Sequence, residues 1–320
     1  MWKIIKNEWS ALSRNKVLLG ISAGFLLVLF LSVFMGIRQN QTEADRNHEA
    51  EHKLRDQWEN LDSLNPHGAA HYGTYVFKPA NLLSSLDEGV NSVTGNVLRV
   101  EGHVQNEIVH SEASQVAAVS SFGKLKSSLL LQYVLPLLLL FLAFNSVSSE
   151  KRSGRLKLLV LQGAKPGAIV WAKTISVWLF GVALLALTVL VYALLNLGQM
   201  DGEIAGRTFF FFLSYTIYYF IVCGLTVLFS ARWQNSTVAL TSMLGIWMLW
   251  TIFLPNIVLS SVEKWHELPS RNTFQAGMKE DRAQGIDGHN PSDERGKALE
   301  AEILKEYGVD SVNPTCKSDL

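Results

Sequence analysis

The sequence predicts a mainly α, polytopic membrane protein with five transmembrane helices and two polar inserts, and three observations carry that prediction. First, charge is segregated: 28 basic and 28 acidic residues balance, hydrophobic residues make up 48% of the chain, and the two classes keep apart. Second, uncharged stretches run over Val17–Ile37, Ser127–Ser149, Thr174–Met200, Thr208–Ala231 and Trp233–Val262. Each reaches the roughly 20 residues that cross about 30 Å of hydrocarbon at a helical rise. Third, a basic turn carrying Lys151, Arg152, Arg155, Lys157 and Lys165 separates two of them. A charge at the bilayer centre costs about 2.5–3.5 kcal/mol on insertion scales, so this turn must lie in water.

Taken in order, residues 1–16 predict a cytoplasmic interfacial helix. Trp2, Ile5, Trp9 and Leu12 repeat at helical spacing opposite Lys3, Lys6, Asn7 and Ser10, a pattern suited to lying along the inner leaflet. Residues 17–37 form the first transmembrane helix. A cleaved leader is the rival reading, but the apolar stretch exceeds a signal core of about 7–15 residues and no small-x-small site follows it. Residues 38–126 form the first extracytoplasmic insert and 127–149 the second helix. The cytoplasmic turn occupies 150–170. Further helices follow at 171–197, 207–230 and 237–262, and 263–320 is the second insert.

Orientation follows from basic residues in short loops, which favour the cytoplasm. Lys3, Lys6, Arg14 and Lys16 fall on the same side as the basic turn if the first helix leads out and the second returns. The connection Gly198–Glu203 then lies outside and Arg232 inside, with Lys124 and Lys126 dissenting. Five helices from a cytoplasmic N-terminus leave the C-terminus outside, after a helix that starts at Asn290-Pro291 and stops at Gly308. A sixth helix is expected and is absent, so the second insert is expected to be truncated.

Within the first insert, residues 40–62 are charged and helical in pattern. A loop-rich stretch follows through Asn65–Gly73 and Phe77-Lys78-Pro79, and a helical pattern resumes near Val97. His48-Glu49-Ala50-Glu51-His52 matches H-E-x-x-H, the spacing that places two imidazoles on one helix face for zinc with a glutamate to activate water. No third ligand can be named and the flanks are a charged helix face, so no metal site is expected; His48 and His52 are the only candidates for one. His67 and His71 share that spacing, but Pro66 and Gly68 argue for turn roles. Cys223 lies mid-helix and Cys316 in a polar segment, which predicts neither a disulfide nor a metal site. The zero net charge gives no argument for nucleic acid.

The chain has no G-x-x-x-x-G-K-[ST] loop, and so no phosphate cradle of its own. Active transport would draw on another polypeptide, and the cytoplasmic turn is where it could grip. Glu150 and Gly154 bracket the exit from the second helix, Leu156, Leu158 and Leu159 offer an apolar ridge, and Gly163 to Gly167 with Pro166 break the chain before it re-enters. A basic connector held on anionic lipid is the plain alternative.

The run Glu150-x-x-x-Gly154-x-Leu156-x-Leu158-Leu159 resembles the cytoplasmic coupling segment of type-2 ABC exporter permeases. Asn65-Pro-His-Gly-Ala-Ala-His-Tyr-Gly73, Phe77-Lys-Pro79, Leu86-Asp-Glu-Gly89 and Gly285-Ile-Asp-Gly-His-Asn-Pro291 resemble a bacterial subfamily with large extracytoplasmic inserts. The resemblance implies six membrane helices in the bacterial cytoplasmic (inner) membrane and a pair of permeases, homo- or heterodimeric, driven by two cytoplasmic ABC ATPase subunits that bind the ATP. It makes the chain a transport subunit without catalytic residues or a cofactor of its own. In it, Glu150, Gly154 and Pro166 would shape the ATPase-coupling turn, and Leu156, Leu158 and Leu159 would pack against the ATPase. Arg155 and Gly163-Ala-Lys-Pro166 depart from the family pattern. The competing readings are a membrane-anchored zinc peptidase on His48, Glu49 and His52, and a non-transporting scaffold or sensor. The substrate is not legible: Phe209–Phe212 with Tyr215, Tyr218 and Tyr219 suit an aromatic belt or helix packing better than a cargo path. Gln132, Asn145 and Asn196 suit interhelical bonds or helix ends.

Overall fold

The computed structural model describes residues 2–61, 65–79, 81–89, 95–102, 106, 126–265, 269–283 and 294–308. The chain divides into two units, one of Met1–Thr42, Ala80–Gly89 and Ala117–Leu259, the other of Glu43–Pro79, Val90–Val116 and Ser260–Leu320.

The first unit is helical. Helix α1, Trp2–Arg14, precedes α2, Lys16–Glu59, whose apolar first half belongs here. Four more helices complete the set: α4, Ser127–Arg152; α6, Pro166–Leu195; α7, Gly202–Arg232; and α8, Ser236–Val262. With α2 they are, among the described residues, the five helices long and apolar enough to cross a membrane. Between α4 and α6 stands the short α5, Arg155–Leu161. The core runs along α4, α6 and α7, where Leu131, Leu135, Leu139, Leu185, Tyr219 and Cys223 are fully buried. Gly181 permits the closest approach of α6 to α4, because a Cβ there would stand 2.7 Å from Leu139 Cδ1. The outward faces are apolar as well. Phe209, Phe210, Trp250 and Phe253 are exposed, as expected of helices whose solvent is lipid rather than water.

Two turns of π-helix interrupt the spans, at Leu130–Val134 in α4 and Leu249–Phe253 in α8. In α4 the widened turn is tied to α7: Tyr219 Oη donates to Leu131 O at 2.9 Å and Tyr218 Oη to Gln132 O at 3.1 Å. At the same end of the unit, the 3₁₀ turn Leu82–Ser85 packs between helices. Leu82 and Leu86 bury against Val33, Ile37 and Tyr192. Gly36 makes this possible, since a Cβ there would lie 2.1 Å from the Ser85 carbonyl oxygen. Lys126, one of the two basic residues that dissent from the charge rule, pairs with Glu88, just after this turn, at 2.5 Å.

The second unit holds the polar half of α2, which continues without a break to Glu59. Helix α3, Pro66–Tyr72, forms where turn roles were expected. Asn65 Oδ1 accepts from Gly68 N at 2.6 Å, and Pro66 takes the first-turn place where a missing N–H is harmless. The helical pattern expected near Val97 is corrected. Val97–Val100 is strand β2, antiparallel to β1, Thr74–Phe77, with Thr74 opposite Val100 and Phe77 opposite Val97. Val97 and Val100 are β-branched and four residues are too few to nucleate a helix, so cross-strand pairing decides the conformation. Helices α9, Arg271–Ala283, and α10, Glu294–Tyr307, follow, and Gly308 ends α10 at φ +63°. The expected start at Asn290-Pro291 lies outside the described residues, as does Cys316.

Candidate coupling site

The site is built where α1, the exit of α4 and the entry of α6 meet. Helix α4 loses its regular ladder at Phe144–Val147, which leaves backbone donors in an apolar surround. Serines answer them: Ser230 Oγ on α7 accepts from Val147 N and Ser148 N, each at 3.1 Å. Asn145 Oδ1 accepts from Ser236 Oγ at 2.6 Å, the interhelical role expected of an intramembrane amide, and Arg152 donates to Ser236 Oγ at 2.7 Å. Lys151 donates to the Ala231 carbonyl. The end of α4 is thus bolted to α7 and α8 before the chain turns.

Gly154 then adopts φ +75°, a left-handed conformation that glycine reaches without Cβ strain, and it reverses the chain into α5. Pro166 begins α6 at the position where its missing N–H is harmless. Of the ridge leucines, Leu156 packs against the core and Leu159 is half-buried, whereas Leu158 is 59% exposed. Val160 and Leu161, which the sequence pattern did not single out, are exposed too, Leu161 at 83%. Arg155, Lys157 and Lys165 are exposed as well. Helix α5 therefore presents Leu158 and Leu161 on one exposed face, while Leu156 packs against the core.

The site also holds a buried cation. Lys173, about two turns into α6, is 3% exposed. Its Nζ lies 2.7 Å from Glu8 Oε1 on α1 and 3.0 Å from Glu150 Oε1 at the end of α4. Helix α1 packs against α6, burying Ile5 and turning Glu8 inward, while Trp2 and Trp9 stay exposed. Glu150 Oε2 is buried and has no hydrogen-bond partner among the described residues. Three elements distant in sequence thus share one charge cluster, and the base of the basic turn is pinned at its centre.

A family model described as ABC-2 family transporter protein matches residues 2–281. The chain belongs to the ABC-2 transporter family. A search of curated proteins and a search of solved structures each find no match. Membership supports a permease role for this ABC-2 chain and implies a membrane setting and a cytoplasmic ATPase partner.

The H-E-x-x-H segment of the ABC-2 chain stands elsewhere, on the polar half of α2. His48 and His52 are exposed with ring centroids 4.5 Å apart. Glu49 is engaged by Lys53 at 2.6 Å, which holds its carboxyl below the usual range through that hydrogen bond and the lysine charge. Water activation asks for the opposite shift, toward neutral pH. Among the described residues no group of three His, Cys, Asp or Glu side chains could hold a metal ion.

Proposed function

We propose that this chain is the membrane-spanning subunit of a bacterial ABC exporter, driven by a separate cytoplasmic ATP-binding subunit that docks on α5. The observation that carries the reading is the pairing of exposed Leu158 and Leu161, one turn apart on α5, with a buried Lys173–Glu8–Glu150 cluster. Two exposed leucines on one helix face, flanked by Arg155 and Lys157, are a poor surface to leave in water and a good one to press into a groove. The cluster supplies what a docking loop needs to transmit force: displacing α5 strains Glu150, and through Lys173 it strains α6 and α1 together. The N-terminus, α1 and α5 would face the cytoplasm of the inner membrane, with Glu150, Gly154 and Pro166 shaping the turn. Residues 38–126 and 263–320 would be extracytoplasmic inserts, and a second permease copy or homologue would complete the transporter.

The plain alternative, a connector lying on anionic lipid, shares the basic residues. Co-purification separates the two. Wild-type chain expressed with its ATPase should retain that subunit in detergent, and Leu158→Asp with Leu161→Asp should lose it while inserting normally. If the ATPase stays bound to the doubly charged variant, or never binds wild type, the docking assignment fails. The zinc-peptidase reading needs Glu49 as its base, and the Lys53 contact disfavours that role; hydrolysis that depends on Glu49 would support it.

A further inference from the structure

The second unit contains a cleft of about 850 Å³ between the polar half of α2 and the β1–β2 hairpin with α3. Six α2 residues line it: His48, Glu51, His52, Leu54, Arg55 and Trp58. His48, Glu51, His52, Arg55 and Trp58 recur three or four positions from one another, which marks one helix face. Trp58 packs at a tilt of 56° against Tyr72 of α3, with ring centroids 5.6 Å apart. Glu49 is not in the lining; its carboxylate is held by Lys53 on another face. The face that looks into the cleft therefore carries both imidazoles and the second glutamate of the segment, not the first.

We propose that His48 and His52 form a two-imidazole site for a divalent transition-metal ion on the wall of this cleft. Imidazole nitrogen suits copper, zinc and nickel, and one turn of helix brings two rings to one ion without backbone rearrangement. The rings already stand 4.5 Å apart at 69°, so binding needs side-chain rotation only. Glu51 adds negative charge to the same wall, while Arg55, one turn beyond, limits the attraction to ions with real affinity for nitrogen. No third side chain of ligating type joins the pair among the described residues, so the other coordination positions open toward the cleft. The site is one that holds an ion and offers it to water or to a donor group of a molecule in the cleft.

The proposal is independent of the ATPase assignment and is tested on the full chain alone, in detergent, with Cu²⁺ as the probe. Electron paramagnetic resonance should show a high-affinity Cu²⁺ population with two imidazole nitrogens. His48→Gln and His52→Gln should each leave a one-nitrogen signal and weaken binding at least about tenfold, the lower end of what even outer-shell ligand partners are worth. The double variant should lose the population, with its circular dichroism unchanged. Two nitrogens and full affinity in the double variant would overturn the assignment, since the other six of the eight histidines would then hold the ion. Wild-type affinity no better than the double variant's would also overturn it. So would displacement of the ion by millimolar Mg²⁺, which marks an oxygen site.

Discussion

Replacing Lys173 with methionine should do more damage than any other single change where α1, α4 and α6 meet. The substitution keeps side-chain length and removes the charge, leaving Glu8 and Glu150 facing each other across a site where the lysine was 3% exposed. Two charge-assisted contacts are lost, at 2.7 and 3.0 Å. Each is worth about 1.5–3 kcal/mol net. Methionine recovers part of this through apolar burial, which brings the loss near the 3–5 kcal/mol typical of breaking a buried pair by removing one partner. Equilibrium unfolding in mixed micelles, followed by tryptophan fluorescence, would measure it. The informative partner is the triple variant Lys173→Met, Glu8→Gln, Glu150→Gln. It leaves no uncompensated charge and should recover most of the stability, because a buried ion cluster replaced whole is often neutral or better. ATP hydrolysis coupled to transport should stay impaired in the triple variant, which separates force transmission from folding. A single-variant loss below about 1 kcal/mol, or a triple variant no more stable than the single, would refute the reasoning.

Other outcomes follow from close approaches and exposure. Gly181→Ala should destabilise the bundle by about 1–3 kcal/mol through overpacking on Leu139, and Leu139→Val should relieve it in the double variant. Gly36→Ala meets a backbone oxygen rather than a flexible side chain, so it should displace the Leu82–Ser85 turn and make the Leu82–Leu86 stretch newly accessible to protease, with no rescue by Ser85→Gly. Leu156→Asp should cost folding and insertion, whereas Leu158→Asp should leave thermal stability within about 0.5 kcal/mol of wild type, as surface changes do. The Glu49–Lys53 contribution to α2 should be fully present above the ordinary glutamate pKa and disappear as pH falls through the depressed folded value. Lys53→Ala should move the Glu49 titration, read by NMR, back up toward the ordinary range.

Charge segregation made the five helices legible, because five uncharged stretches of bilayer length leave few other folds open. The short elements were not. Thr74–Phe77 and Val97–Val100 owe their strand conformation to pairing across some twenty residues, which no local window contains. Helix α3 was visible in its Asn65 cap and Pro66, and the glycine that follows argued too strongly against it. At the candidate site, Glu150 and Gly154 were singled out from the turn itself, but the lysine cluster was not assembled. A signal for it was present: Glu8 is the one acidic residue in the first 37 positions, and Glu150 the one between 127 and 200. Lone acids in segments rich in lysine and arginine call for a buried partner, and Lys173 is the cation set furthest into an apolar run. Exposure along α5 depends on how Leu156 meets the core, so it could not single out Leu161 over Leu159.

The most direct test places a photo-crosslinking amino acid at Leu161 in the full-length protein, in cells that express the ATP-binding subunit. Mass spectrometry should identify that subunit as the adduct, and the same probe at Lys53 on the polar half of α2 should give none. Adducts to lipid alone at Leu161, or an ATPase adduct at Lys53, would contradict α5 as the surface through which ATP drives this transporter.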